Sequence, residues 1–210
     1  MGRMMQPIRS REQLDDIETT LGARTDAQGR RAFLLWEVGI RTGMRISDML
    51  ELKVGDLRGQ KRYTYLPIKQ RHKAGARPIT IPVTSALREV IAKQCEGMAD
   101  GDWLFPSVEK TRGGNQKPIS RMTAYRDMKW IQRVCRIDEP IGCHTTRKTF
   151  GYHHYQKTHD VATLQTWFYH SSPETTLIYI GIAEDNLRKM TDSSPFSNAE
   201  TVRKRMAGKV

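Results

Sequence analysis

Two short runs of β-branched and aromatic residues, at 63–68 and 77–82, interrupt a chain that otherwise has the apolar spacing of helices. The segment 72–76 between them contains Gly75 and small neighbours, which is typical of a hairpin tip. The pattern therefore predicts an α+β fold that is mostly helical, with one small antiparallel sheet and its hairpin.

Helices are predicted on both sides of the hairpin from apolar periodicity and from capping residues. Ser10 begins an S-x-x-Q capping box, and Gly43 follows the second helix as the usual residue past a helix end. The expected helices lie at about 10–21, 28–41, 46–52, 85–93, 120–136, 145–157, 160–168 and 173–180. Residues 112–115 are expected to form a loop. One domain is predicted over residues 1–190, followed by a C-terminal tail over 191–210.

Basic charge dominates the chain and is unevenly distributed. Lys and Arg number 35 against 23 Asp and Glu, a formal net charge of +12. The stretch 57–88 holds eight basic residues and no acidic one. A block of this kind is typical of a surface that follows a phosphate backbone, although charge alone does not separate DNA from RNA or an acidic membrane.

Other features exclude several classes of protein. No apolar run approaches the roughly 18 residues of a membrane span, and the first residues lack a secretory signal, so a cytoplasmic location is expected. Three cysteines form no C-x-x-C pair, which argues against a disulfide framework. His153, His154 and His159 have no Cys or carboxylate at ligand spacing, so no metal site is expected.

Six polar residues stand where packing gives them little purpose, although each taken alone has an ordinary structural interpretation. They are Arg45, Lys73, His144, Arg147, His170 and Tyr179. In this order they carry motifs that resemble the catalytic domain of the tyrosine recombinases, or phage integrase family. The matching segments are T-G-M-R-I-S-D at 42–48, K-A-G at 73–75, H-T-T-R at 144–147 and H-S-S-P-E-T-T-L-I-Y at 170–179. The resemblance covers about residues 10–185.

The resemblance implies a site-specific recombinase that breaks and rejoins DNA through a 3′-phosphotyrosyl intermediate, without metal, ATP or another cofactor. Tyr179 is then the nucleophile, and His144 accepts or shares its proton. Arg45 and Arg147 donate hydrogen bonds to the phosphate oxygens, because guanidinium groups bind such oxygens in pairs and stay charged.

Three further roles follow from the same resemblance. Lys73 would protonate the departing 5′ oxygen, with Lys69 as the lesser candidate. His170 would hydrogen-bond a phosphate oxygen, and Asp48 would orient the first arginine, although a plain helix carboxylate is nearly as good an interpretation.

The implied partner is double-stranded DNA with specific recombination sites, bound by a homo-tetramer near the nucleoid. Accessory DNA-bending or directionality proteins are further expected partners, and no membrane is. The C-terminal tail is hypothesised to pass from one protomer to its neighbour. Direct DNA contacts are predicted for Lys69, Arg71, Arg77 and Arg121.

Three departures from the family pattern accompany the match, and one of them is Ala74, where the family usually has Thr after the hairpin lysine. Only 44 residues precede Arg45, so no separate N-terminal core-binding domain is expected, and the chain is closest in size to the fimbrial phase-switch invertases or to a truncated integrase. Phe168 and Tyr169 stand where the family prefers Leu and Gly, and two aromatic rings there would crowd the turn before His170.

Two alternative functions share the fold. The first is a DNA-binding regulator that no longer cuts, which would have no use for Tyr179 or Lys73. The second is a type IB topoisomerase, a class that usually carries additional DNA-clamping domains.

Overall fold

A computed structural model of the protein describes residues 5–193 together with Arg203 and Met206. Most of the predicted tail, residues 191–210, lies outside the described residues. The described helices are α1 (Arg11–Gly22), α2 (Ala27–Thr42), α3 (Ile46–Met49), α4 (Val54–Leu57), α5 (Ser85–Gln94), α6 (Arg121–Val134), α7 (Thr145–Thr158), α8 (Val161–Phe168), α9 (Pro173–Ile180) and α10 (Ile182–Asp192). The described strands are β1 (Arg62–Tyr65), β2 (Ile79–Pro82), β3 (Pro106–Lys110) and β4 (Gln116–Pro118). The predicted class, mostly helical with small antiparallel sheets, is confirmed.

Helix α2 is the centre of the fold. It begins because the Asp26 carboxylate accepts a hydrogen bond from the backbone N–H of Gly29 at 2.9 Å. It ends at Gly43, whose φ of 62° is accessible to glycine without strain. Trp36 and Leu35 are completely buried, and the helix packs against α1, α5, α6 and α7. None of the described helices is long and apolar enough to cross a membrane.

The first hairpin has shorter strands and a longer connection than the sequence predicts. Strand β1 pairs antiparallel with β2, and Tyr63 lies opposite Ile81. The predicted strand 63–68 ends early because Pro67 has no N–H to donate and residues Ile68–Gln70 form a turn of 3₁₀ helix. The second strand, predicted from 77, begins only after Pro78. The connection therefore spans residues 66–78 rather than a five-residue tip.

Several elements were not predicted, among them the short helix α4, a second hairpin and helix α10. Strands β3 and β4 form a second antiparallel hairpin around the loop predicted at 112–115, so the described residues contain two two-stranded sheets instead of one. Most side chains of β3 are exposed, and its sequence lacks the alternation that marks a half-buried strand. Helix α10 follows α9 directly after Gly181, where the sequence analysis expected no regular structure.

Helices α7, α8 and α9 pack around a second, smaller apolar cluster formed by Leu164, Phe168, Ile180 and Ile182. Gly151 permits this packing, because a Cβ there would lie 2.7 Å from the Ile180 side chain and 2.8 Å from the Phe168 ring. The part of α7 that precedes Gly151 is thus held close to α9. These two helices carry Arg147 and Tyr179, and His144 immediately precedes α7.

Candidate active site

The structure brings together the six residues that the motifs single out, although the elements that carry them are far apart in sequence. Three of them stand just outside helices. Arg45 precedes α3, His144 precedes α7, and His170 lies in the turn between α8 and α9. Arg147 and Tyr179 lie within α7 and α9, and Lys73 lies in the β1–β2 connection.

The two arginines converge on one backbone oxygen. Nη2 of Arg45 donates a hydrogen bond to the carbonyl of Phe168 at 2.8 Å, and Nη2 of Arg147 donates to the same carbonyl at 3.2 Å. Nη1 of Arg147 donates to the carbonyl of Gly43 at 2.5 Å. These bonds tie the segment after α2 to the end of α8 and fix the distance between two positive groups.

Arg147 is an unusual arginine because it is only 2 % exposed. Its guanidinium lies 4.0 Å from the centre of the Phe168 ring, which is a cation–π contact. Burial, together with the nearby charge of Arg45, lowers the pKa of Arg147 to about 10. The group therefore remains positively charged at neutral pH, while Arg45 keeps part of its surface open to solvent.

The Tyr179 hydroxyl lies 3.2 Å from Nδ1 of His144. Partial burial lowers the pKa of His144, and the charges of Arg147 and Lys69 lower it further. The imidazole is therefore neutral at pH 7 and can accept the phenol proton at Nδ1. Burial raises the pKa of Tyr179, while Arg147 and Arg45 oppose that increase.

His170 is held between two aromatic rings, with centroids 5.1 Å from Tyr179 and 5.5 Å from Phe168. Its Nδ1 lies 3.0 Å from the hydroxyl of Thr176, which is fully buried on α9. Burial and the two arginines lower the pKa of His170 to about 4. The preceding residue, Tyr169, adopts a left-handed conformation with φ 53°. The two aromatic residues are thus accommodated, and His170 still faces Tyr179.

Lys73 and His170 line the same open cleft, which has a volume of about 580 Å³. The cleft lies between the β1–β2 connection and the end of α8, and Arg77 and Tyr169 also line it. Lys73 is exposed, and its backbone N–H donates to the carbonyl of Gln70 at 2.9 Å. Lys69 is also exposed, close enough to His144 for its charge to lower the pKa of that ring.

Asp48 lies beneath the site and is 5 % exposed. One carboxylate oxygen accepts a hydrogen bond from the backbone N–H of Ile68 at 2.8 Å, and the other has no hydrogen-bond partner among the described residues. Burial raises the pKa of Asp48, and Arg45 and Arg147 oppose this. The carboxylate therefore connects α3 to the start of the loop that carries Lys73.

The predicted DNA-contact residues differ in their surroundings. Arg71 forms an ion pair with Glu51. Arg77 is exposed on the cleft, and Arg121 is the first residue of α6 and lies near His144. The residue that the sequence analysis missed is Phe168, which contributes through its backbone carbonyl, and no sequence pattern marks such a role.

Comparisons with known proteins agree with this geometry. Residues 10–185 match the family model described as the phage integrase family. A probable integrase/recombinase of Bacillus subtilis strain 168, YoeC, is 38 % identical over 88 % of this chain and 94 % of its own length. The tyrosine recombinase XerD of Agrobacterium fabrum strain C58 is 25 % identical over 85 % of this chain, but over only 60 % of its own length.

A solved structure supports the fold assignment. The catalytic domain of bacteriophage HP1 integrase superposes with a TM-score of 0.55 at 17 % identity, over 92 % of this chain and 98 % of that domain. At this identity the match concerns the fold, which is that of an integrase catalytic domain. The family model, the YoeC similarity and the fold lead to the same conclusion: this chain is a tyrosine recombinase of the phage integrase family.

Proposed function

We propose that the protein is a site-specific recombinase that cleaves and rejoins duplex DNA through a covalent bond between Tyr179 and a 3′ phosphate. The observation that carries the proposal is the hydroxyl of Tyr179 at 3.2 Å from a neutral His144, beside two positively charged guanidinium groups. A phenol in that position has a proton acceptor and a binding site for a phosphodiester next to it.

The arginines supply the electrostatic part of the reaction. Attack on phosphorus adds negative charge to its non-bridging oxygens, and preorganised donors stabilise that charge by about 3 to 4 kcal/mol each in other enzymes. Arg147 is held by two backbone carbonyls before the substrate arrives. Arg45 makes only one hydrogen bond to the described residues, so most of its N–H groups are free to meet a phosphate.

The proton and electron balance of cleavage follows from these roles. The Tyr179 hydroxyl gives its proton to Nδ1 of His144, and the phenolate oxygen forms a bond to phosphorus. The bond from phosphorus to the 5′ oxygen breaks, and Lys73 protonates that oxygen as it leaves. The product is a 3′-phosphotyrosyl bond, which a 5′-hydroxyl from another strand attacks in the reverse sequence. The phosphodiester is thus conserved without ATP.

Strand exchange between two DNA sites requires an assembly, for which we propose a homo-tetramer on DNA in the nucleoid. Exchange of the C-terminal tail would join its protomers, and accessory DNA-bending or directionality proteins would select the outcome. Leu187 and Met190 on α10 support this, since they are 61 % and 67 % exposed just before the tail. Deleting residues 194–210 should dissociate the DNA-bound assembly in analytical ultracentrifugation, and an unchanged assembly would contradict the exchange.

The decisive experiment is a covalent-adduct assay. The protein is incubated in EDTA with nicked duplexes that tile the DNA flanking its gene, and the products are resolved on denaturing gels. We expect a protease-sensitive, slower band with the wild-type protein and none with Tyr179→Phe. Tyr155→Phe is the matched control, because Tyr155 lies in the last turn of α7 with its ring against His159 and is not part of the motifs.

The alternatives give different results in the same assay. A regulator that does not cut would bind the fragments without forming an adduct on any of them. A topoisomerase would relax supercoiled plasmid that carries none of the fragments. Either outcome would refute site-specific recombination by this chain.

A further inference from the structure

One buried charged residue next to the nucleophile has no part in the chemistry described so far. Lys148 follows Arg147 on α7, and it shares one face of that helix with His144, four residues earlier. His144 contacts the Tyr179 hydroxyl from this face. Lys148 contacts the ring of the same tyrosine, with Nζ 5.1 Å from the ring centroid.

The Lys148 ammonium has the ring of Tyr179 as a direct contact and is also attracted by the charge of Glu184. The residue is only 7 % exposed, and its ammonium makes no hydrogen bond or ion pair with another residue in the described part of the chain. Burial lowers the pKa of Lys148, Arg9 lowers it further, and Glu184 of α10 opposes the decrease. Arg9 itself is paired with Asp185. A long cationic side chain is costly to bury unless it stabilises something there.

We propose that Lys148 is a positioning residue for Tyr179, whose ammonium holds the ring face and favours the phenolate over the phenol. This rests on the proposed function of Tyr179 as nucleophile. A cation is attracted to the negative face of an aromatic ring, and the attraction grows when ionisation of the hydroxyl places negative charge in the ring.

The other groups that face Tyr179 explain why one more cation matters. Arg45 and Arg147 are positive and His144 and His170 are neutral at pH 7. When a phosphodiester is bound, its negative charge offsets the positive charges of Arg45 and Arg147. Those charges then favour ionisation of the Tyr179 phenol less than they do in the free protein. Lys148 contacts the ring of Tyr179 itself, so its charge acts on the phenol directly.

The first test measures the phenol directly, without DNA. Burial raises the pKa of Tyr179 and lowers the pKa of Lys148, so the proteins carry difluorotyrosine at position 179, whose phenol ionises at a lower pH where Lys148 is still charged. The phenolate absorbance of each protein is titrated with pH, and the curve of its Tyr179→Phe counterpart is subtracted to isolate position 179. We expect Lys148→Met to move the Tyr179 titration to higher pH, and Lys148→Arg to leave it near that of the wild type. Lys157→Met, an exposed change on the same helix, should not move it. An unmoved titration in Lys148→Met would overturn the proposal.

The second test measures cleavage of the nicked duplexes that give an adduct with the wild-type protein. Lys148→Met should slow adduct formation about 5- to 30-fold at pH 7, the equivalent of a desolvated cation–π contact. The deficit should shrink as pH rises, with DNA affinity unchanged in a mobility-shift assay, and Lys148→Arg should restore most of the rate. A deficit that is the same at every pH would assign Lys148 a merely structural role. Absence of adduct from the wild type refutes the proposed function instead, and the DNA-free titration distinguishes the two failures.

Discussion

Tyr169 ends α8 in the left-handed region, with φ 53° and ψ 45°. An L-residue with a Cβ is strained there because Cβ approaches the following carbonyl oxygen, and glycine has no Cβ. The family motif resembled by this segment has Gly at the same place. We therefore expect the protein to be more stable with glycine at position 169 than with alanine, which has a Cβ but makes equally few side-chain contacts.

The magnitude follows from two opposing contributions. The left-handed conformation costs a non-glycine residue about 1 to 2 kcal/mol. Glycine also makes the unfolded chain more flexible, which removes about 0.4 to 1 kcal/mol of that advantage. Loss of the half-buried tyrosine ring is common to both Tyr169→Gly and Tyr169→Ala. The glycine variant should therefore exceed the alanine variant in free energy of unfolding by about 0.8 kcal/mol, the middle of a range from 0 to about 1.6 kcal/mol, or roughly 2 to 3 °C in Tm for a chain of this size.

Urea denaturation of both variants measures this difference. Thr166 supplies the control, because it is an exposed residue inside the same helix. There Thr166→Gly should be less stable than Thr166→Ala by about 1 kcal/mol, the opposite sign. If Tyr169→Ala proves as stable as Tyr169→Gly, the left-handed backbone at this turn carries no strain and the reasoning fails.

Three further predictions concern charge. Arg31→Met should lower the free energy of unfolding measured in urea by about 3 to 5 kcal/mol, because it leaves Asp127, whose side chain is 1 % exposed, without its ion-pair partner. Arg188→Met breaks the exposed pair with Glu184 and should change the free energy of unfolding by less than about 0.5 kcal/mol. Arg45→Ala should slow adduct formation about 100- to 1000-fold with little loss of stability. Arg147→Ala should also lower the free energy of unfolding by about 1 to 3 kcal/mol, because the buried carbonyl of Gly43 loses its donor. Equal stability of the two variants would refute this. The depressed pKa of His170 means that the unfolded chain binds more protons, so stability should fall as pH decreases from 6.5 towards 4, and His170→Gln should lose less over that range.

Local signals in the sequence were sufficient for most helices. Helix α9 begins and ends where predicted, because Ser172 caps it, Pro173 occupies its first turn and Gly181 ends it in a left-handed conformation. Helix α6 likewise begins after a capping serine, Ser120, whose hydroxyl accepts from the N–H of Thr123 at 3.0 Å. Capping depends on residues within one turn, so it can be read from a short segment.

The strands were predicted less well, for a physical reason. The apolar run at 63–68 has strand composition throughout, but only its first part finds a partner, and Pro67 and Pro78 limit the ladder from both sides. Pairing joins residues that are distant in sequence, so composition alone does not give its extent. The same holds for β3, whose exposed side chains carry no periodic signal.

The sequence by itself determined the family and predicted the candidate site residues, because the motifs that carry them are short segments that can be recognised without the fold. Only the tertiary structure decided how those residues act on one another. Arg45 and Arg147, 102 positions apart, share the carbonyl of Phe168, and Lys148 lies over the ring of Tyr179. Such contacts depend on the packing of α7 against α8 and α9, where burial sets the charge state of each group and no local pattern records it.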